Sequence, residues 1–275
     1  MSQTERALSE DVLPEGLIAF ARGQAADAGQ LAMQWFRQPL SIDLKSDASP
    51  VTEADRAVES QLRQCLAEHY PEHGVLGEEF ENVRLDAEYL WVVDPIDGTR
   101  SFITGWPIWG TLLALLHRQS PCLGIIEMPA LQENWIGIKG QGTFFSDRFR
   151  QDQPCHVSTC RNISAARFYT TSVYYFSEAD RRAVEAVIEQ VAVPRFGGDC
   201  YGYGLLASGL IDLVIEAQLQ PFDFLSLIPI IEEAGGIITD WQGNALTAAS
   251  DGRVIAAATP ALHQQAILTL NQYTS

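Results

Sequence analysis

Apolar residues at Leu13, Leu17, Ile18, Leu31 and Trp35 recur at roughly helical spacing, which predicts one long amphipathic helix over residues 12–37. The polar loop SIDLKSDASP follows. Thr52-Glu53-Ala54-Asp55 then reads as a helix start, with Thr52 as N-cap and Asp55 three residues on, and YPEHG ends that helix near His69. From residue 90 the pattern shortens: LWVVD, GTLLALLH, CLGIIEMP and NWIGIKGQGTFF are apolar or alternating runs between turns, which predicts strands. A polar, irregular stretch around 150–165 sets a soft internal boundary between halves 1–155 and 156–275. Beyond it come a strand-like RFYTTSVY, helices near 178–190 and 200–209, and a strand in LIDLVIEA. A helix at 223–234 is closed by Gly235-Gly236, and the tail holds short strands and a last helix. No repeat, low-complexity tract or flexible linker interrupts the chain. The two halves therefore read as one packed α/β unit, 1–275, with helices and sheets in layers.

Composition narrows the class. Of 275 residues, 47% are hydrophobic and 19% charged, the balance of a globular chain able to bury a large core. The net charge of −17, from 18 basic and 35 acidic residues, argues against nucleic acid as partner, which needs clustered cations. It leaves room for a small phosphorylated substrate if metal ions provide the positive charge. Five cysteines (Cys65, Cys122, Cys155, Cys160, Cys200) without a CxxC pair fit reduced thiols. The polar, acidic N-terminus resembles neither a signal nor a transit peptide, and no apolar run approaches the roughly 18 residues of a membrane span. The expectation is a soluble, cytoplasmic protein.

The chemistry concentrates in LWVVDPIDGTRSF, residues 90–102. Four apolar residues run into Asp94 and Asp97, just past the end of a strand, where ligand sites of α/β proteins gather. Gly98 lets backbone approach a ligand, and a helix beginning near Thr99 would aim free amides at the same spot. Such a turn could hold a divalent cation through its acids and a phosphate through its amides. Taken alone, a DPxD turn is more often a simple helix cap, and the adjacent acids Glu78 and Glu79 more often a solvated loop. Asp223, set among aromatic and aliphatic residues, reads equally as an N-cap or as an oxygen ligand for a hard cation such as Mg²⁺. Together, four acids at these places could hold two or three Mg²⁺ ions.

GEEF (77–80), WVVDPIDGTRSF (91–102) and FDFLSLIPIIEEAGG (222–236), with KSDASPVTEAD (45–55), resemble the inositol monophosphatase family of Mg²⁺-dependent phosphatases in order and spacing. The usual Trp before the final Asp is here Phe222. The resemblance implies a layered αβαβα fold and a homodimer. It also implies that Glu78, Asp94, Asp97, Asp223 and the Ile96 carbonyl ligate metal, with Asp55 helping to hold the more weakly bound ion and Glu79 outside the ligand set. Gly98 and Thr99 correspond to phosphate-binding amides, and Thr99 with Glu78 to the groups that orient the attacking water and accept its proton. The acid seven residues before Asp223, Glu216, corresponds to a contact for the substrate's alcohol part.

Longer stretches, DGTRSFITGWPIWGTLLALL (97–116), TTSVYYF (170–176) and GGDCYGYGLLASGLIDLVIE (197–216), are similar to the histidinol-phosphate phosphatase branch. Asp199 is an added carboxylate suited to a cationic substrate. L-histidinol phosphate is therefore the expected substrate, placing the enzyme in histidine biosynthesis. The alternatives are inositol 1-phosphate, then adenosine 3′,5′-bisphosphate, then a non-catalytic binding protein of the same fold. Tyr201 and Trp106 are candidates for the substrate pocket, and Arg100 and Arg195 for phosphate or a partner subunit, each competing with an ordinary core or surface role. His117 and His156 lack zinc-site spacing, and Ser158, Ser164 and Ser226 lack a GxSxG elbow, which counts against zinc and serine hydrolases.

Overall fold

The computed structural model describes residues 13–39, 41–44 and 50–273. The readings of the N-terminus and of motif residues 45–49 lie outside these. Helix α1 spans Glu15–Met33 rather than 12–37. Leu13 precedes Pro14 and is held out of the helical region, and Arg37 at φ 60° turns the chain away after the last turns. A short antiparallel hairpin, β1 (Ile42–Leu44) and β2 (Pro50–Thr52), leads into α2 (Glu53–His69). The α2 start is the predicted capping box: Ala54 N–H donates to Thr52 Oγ at 3.1 Å and Thr52 N–H to Asp55 Oδ2 at 2.8 Å.

Seven strands then form one sheet in sequence order: β3 (Gly74–Gly77), β4 (Tyr89–Asp97), β5 (Gly110–His117), β6 (Ser120–Met128), β7 (Glu133–Ile138), β8 (Gly142–Asp147) and β9 (Gln153–Pro154). Short helix α3 (Thr99–Ile103) sits between β4 and β5. Only β3–β4 is parallel. The second half supplies β10 (Arg167–Thr170), α4 (Glu178–Ile188), β11 (Val193–Phe196), α5 (Cys200–Ala207) and β12 (Leu213–Glu216). Next come α6 (Pro221–Phe224), α7 (Leu227–Glu233), β13 (Ile237–Thr239), β14 (Val254–Ala257) and α8 (Pro260–Asn271). The five strands pair as β11-β10-β12-β14-β13. The single helix predicted over 223–234 is two helices. Pro229 cannot donate to the residue 225 carbonyl and crowds it, so the chain breaks at Leu225–Ser226.

Alternation along β4 decides the layers. Trp91 and Val93 face α1 and α2, burying against Leu17, Ala21, Val58 and Leu62. Leu90 and Val92 face the opposite way, into a core shared with α5, α7 and the inner face of the second sheet (Val214, Ala256). The outer face of that sheet, with Phe168, Ile215 and Ile255, packs on α4 and α8. The order is helix, sheet, helix, sheet, helix, the expected αβαβα sandwich.

Helix α7 sits directly on the first sheet. A Cβ on Gly124 would stand 1.8 Å from the Ser226 carbonyl oxygen, and one on Gly137 2.4 Å from that of Pro229. Only glycine permits this backbone-on-backbone contact. It seats α6 and α7 against the sheet that carries β4.

Candidate active site

Strand alternation by itself would send residues 94 and 97 to opposite faces of the sheet. The pairing of β4 with β5 prevents this. Asp94 stands opposite Leu112 and Asp97 opposite Gly110, so three steps on β4 match two on β5. This one-residue bulge reverses the parity and accommodates Pro95, which has no N–H to offer the ladder. Ile96 N–H donates to Asp94 Oδ1 at 3.0 Å, and the buried Thr111 hydroxyl donates to the Pro95 carbonyl at 2.8 Å, which locks the turn. Gly98 follows at φ 82°, a left-handed conformation that caps α3. The Thr99 hydroxyl donates back to the Ile96 carbonyl at 3.1 Å.

Asp223 reaches the same place from α6, where its Oδ2 accepts the Gln220 N–H at 2.6 Å. Asp94, Asp97 and Asp223 each present an oxygen, all within 4.8 Å of one another. Burial pushes the Asp94 carboxyl well above the usual carboxylate range, and repulsion from Glu78, Asp97 and Asp223 adds to it. Asp223 is raised by burial and then by Asp97. Asp97 is raised by burial, against the pull of the Cys200 N–H that donates to its Oδ2 at 2.6 Å. No basic side chain is among the groups that act most strongly on these three carboxyls. An oxygen-only donor set, buried and mutually repelling, fits a hard divalent cation.

Glu78 follows β3, lines the cleft, and brings its carboxyl within hydrogen-bonding distance of Asp94. Two residues that sequence reasoning missed hold its loop. Glu59 on α2 is fully buried, and accepts Arg63 Nε and the Glu79 N–H, both at 2.7 Å. Arg63 also donates to the Phe80 and Glu81 carbonyls, at 3.2 and 3.0 Å. The available signal was the i,i+4 spacing of this pair, with Glu59 next to the buried Val58. Glu79 thus contributes its backbone to the loop. Asp55 lies at the start of α2, its Oδ2 taken up by the Thr52 N–H and hydroxyl.

A cleft of about 250 Å³ opens beside the acids, lined by Glu78, Asp97, Gly98 and Thr99 from the first half and by Asp199, Glu216 and Asp223 from the second. Glu216 is buried and accepts the Thr171 N–H at 2.6 Å, the Thr171 hydroxyl at 2.8 Å and the Thr170 hydroxyl at 3.3 Å. Burial nevertheless pushes it up to about 8. Asp199 sits at φ 45°, strained for a non-glycine residue, accepts the Ser101 hydroxyl at 2.9 Å, and rises to about 7 through burial and the nearby Asp97.

Arg100 also lines the cleft, its guanidinium 5.2 Å from the Tyr175 ring centre. Other candidates lie elsewhere. The Tyr201 hydroxyl donates to Glu133 at 3.0 Å, Trp106 is 48% exposed on the surface, and Arg195 belongs to the exposed edge strand β11. His117 meets Glu88, Ser158 meets Asp212, Ser226 is buried in the core, and His156 and Ser164 are exposed. All five cysteines are free, and among the described residues no helix is long and apolar enough to cross a membrane.

Comparison with known proteins agrees with this geometry. The profile of the inositol monophosphatase family matches residues 13–275. The chain is 44% identical over 255 residues to the chloroplastic bifunctional phosphatase IMPL2 of Arabidopsis thaliana, covering 89% of this chain and 72% of that one. It is 36% identical to the histidinol-phosphatase of Mycobacterium tuberculosis over 84% of this chain and 88% of the other. Among solved structures, an inositol monophosphatase from Zymomonas mobilis superposes with a TM-score of 0.85 at 42% identity, covering 94% of this chain and 98% of that one. With this match along its length and this fold, the chain belongs to the inositol monophosphatase family and is a phosphoric monoester hydrolase.

Proposed function

We propose that the protein hydrolyses L-histidinol phosphate to L-histidinol and phosphate, within histidine biosynthesis. The observation that carries this reading is that the second half of the chain brings two further carboxyls to the cleft beside the acid cluster, Glu216 buried and Asp199 half-buried. Burial holds both carboxyls towards their protonated form, to about 7 and about 8, which a neutral polyol would leave unchanged; an alcohol with an ammonium and an imidazole would draw them into the ionised form through charge-assisted hydrogen bonds. The similarity to histidinol-phosphatases supports the same substrate. The likeness to the Zymomonas mobilis enzyme favours inositol 1-phosphate as the second reading.

Glu78, Asp94, Asp97, Asp223 and the Ile96 carbonyl would hold two or three Mg²⁺ ions, with Asp55 supporting the weakest. When bound, Mg²⁺ supplies Lewis acidity, drawing the phosphate oxygens and easing deprotonation of water. The Thr99 hydroxyl and Glu78 orient the attacking water, and Glu78 accepts its proton. The Gly98 and Thr99 amides hold the phosphate at the start of α3. The two halves, 1–155 and 156–275, act as one phosphatase unit, since each lines part of the cleft. A homodimer in the cytoplasm completes this reading.

Phosphate release by the purified protein from histidinol phosphate and inositol 1-phosphate, each with Mg²⁺ and with EDTA, tests it. A kcat/KM at least about tenfold higher for histidinol phosphate, corresponding to about 1.4 kcal/mol, and lost in EDTA, is expected. Preference for inositol 1-phosphate would overturn the substrate.

A further inference from the structure

Three successive residues ahead of α5 have positive φ: Gly197 at 86°, Gly198 at 132° and Asp199 at 45°. Glycine adopts such angles freely, but an aspartate held there is strained, and strain of this kind persists only where the surroundings enforce it. The enforcement comes from the other half of the chain, from the segment that runs from Gly98 through α3 to Trp106. A Cβ on Gly98 would stand 3.0 Å from Asp199 Oδ2, and the Ser101 hydroxyl donates to that same oxygen at 2.9 Å. The Trp106 ring covers Gly197, where a Cβ would stand 2.6 Å from the indole. Trp106 is tied back to α3, its N–H donating to the Ser101 carbonyl at 2.9 Å. On its other side the Gly197 N–H is shared between the Thr170 and Thr171 carbonyls, at 3.1 and 2.9 Å.

Trp106 is 48% exposed and lies outside the cleft lining, so it is neither a core residue nor a substrate contact. What its ring does touch is the one position in the loop with no side chain to hold it off. A single hydrogen bond from Ser101 is of the same order as the strain at Asp199, so it does not fix the loop unaided. We propose that Trp106 is a positioning residue for Asp199: its ring clamps Gly197 and keeps the strained loop in the conformation that delivers the Asp199 carboxyl to the cleft. This deepens the histidinol-phosphate reading and rests on it, since Asp199 is the charge set before a cationic alcohol. The clamp grows from the same segment as Asp97 and Thr99, so Asp199 is registered against the acid cluster as well as against β10. Without the ring, Asp199 relaxes towards negative φ and its carboxyl turns out of register with the acids.

The test compares kcat/KM for histidinol phosphate and inositol 1-phosphate, in Mg²⁺, across five proteins: the wild type, Trp106→Ala, Trp106→Phe, Asp199→Asn and the double variant Trp106→Ala/Asp199→Asn. Asparagine tolerates positive φ, so Asp199→Asn removes the charge and leaves the loop. Trp106→Ala should cost histidinol phosphate about five- to tenfold and inositol 1-phosphate under about twofold, the mark of a misplaced contact rather than a damaged metal site. Trp106→Phe keeps a flat ring on Gly197 and should restore most of the loss. In the double variant the two losses should not multiply, because with the charge gone there is nothing left to place. Equal losses on both esters, no loss on either, losses that multiply, or a Phe variant no better than Ala overturn the proposal. If Asp199→Asn shifts the preference and Trp106→Ala does not, the clamp falls and the substrate reading stands. If the wild type prefers inositol 1-phosphate, the substrate reading falls, and the clamp is judged by whether the two losses multiply on that ester. Should Trp106→Ala fail to fold, Trp106→Leu, which fills space without a flat face, is read in its place.

Discussion

Asp94 and Asp212 are equally buried, each 1% exposed, yet the protein treats them in opposite ways. Burial alone would raise Asp212. Bonds from Arg167 and Ser158 more than reverse this: Arg167 donates through Nε at 2.8 Å, Nη2 at 2.7 Å and its N–H at 2.8 Å, and the carboxyl falls below the usual range. Around Asp94 the nearest groups are more acids, and the carboxyl rises. Exposure is the same, and what differs is partnering, together with a shallower setting for Asp212, whose partner Arg167 is 40% exposed. A structural acid is neutralised within the chain, whereas the cleft acids are left with charge that only something from outside can balance.

The contrast breaks most visibly with Asp94→Asn or Asp223→Asn. Either should lower kcat by about 10³-fold or more while leaving the protein folded, because a neutral amide removes both a ligand charge and a repulsion. Mg²⁺ at about 100 times its Kd should add about 2.7 kcal/mol to wild-type stability in a chemical melt, and far less to either variant. A full Mg²⁺ shift in both would remove these acids from the metal site. Asp212→Asn should act the other way round. Urea unfolding should show a loss of about 1–2 kcal/mol, from the weakened bonds to a half-exposed Arg167, with kcat per folded molecule unchanged.

Glu216 sharpens the comparison through pH. Its pKa is raised from 4.5 to about 8, so the folded protein holds a proton there that the unfolded chain gives up. Its share of stability is fully present below about pH 4.5 and falls as pH climbs towards 8. Glu216→Gln should flatten that fall, so that the variant gains on the wild type by about 4 kcal/mol between pH 4 and pH 8. Denaturation midpoints across this range decide it; parallel curves would mean that the threonine donors already compensate the charge. The smallest effect is one of selectivity. Asp199→Asn keeps the shape and removes the charge, and should cost histidinol phosphate about tenfold more in kcat/KM than inositol 1-phosphate, or about 1.4 kcal/mol. Equal losses on both esters would take Asp199 out of the specificity argument.

What the sequence disclosed depended on distance along the chain. The Thr52–Asp55 cap and the end of α2 at His69 were legible because their bonds span three or four residues. The acids of the DPID turn stood out because they are contiguous. Yet the bulge that turns both to one side depends on register with β5, which no local pattern reveals. Asp223 stood out locally as a cap or a hard-cation ligand, but its meeting with Asp94, and the candidacy of Asp199 and Glu216, came through family resemblance, since over a hundred residues of sheet and helix separate them from Asp94. Nothing local singled out Glu59 and Arg63, because an i,i+4 acid–base pair is a common feature of helix surfaces. Pro229 was in plain view, and the break it forces in the 223–234 helix follows from its missing N–H.

The glycine seat under α7 bears on how such an enzyme can diversify. Because Gly124 and Gly137 let helix backbone rest on sheet backbone, the position of Asp223 relative to Asp94 and Asp97 is set by main-chain atoms. Side chains on the opposite wall can then be exchanged, generation after generation, without disturbing the spacing of the acids. The spacing of the acids is then a fixed gauge, and the far wall of the cleft is free to vary around it.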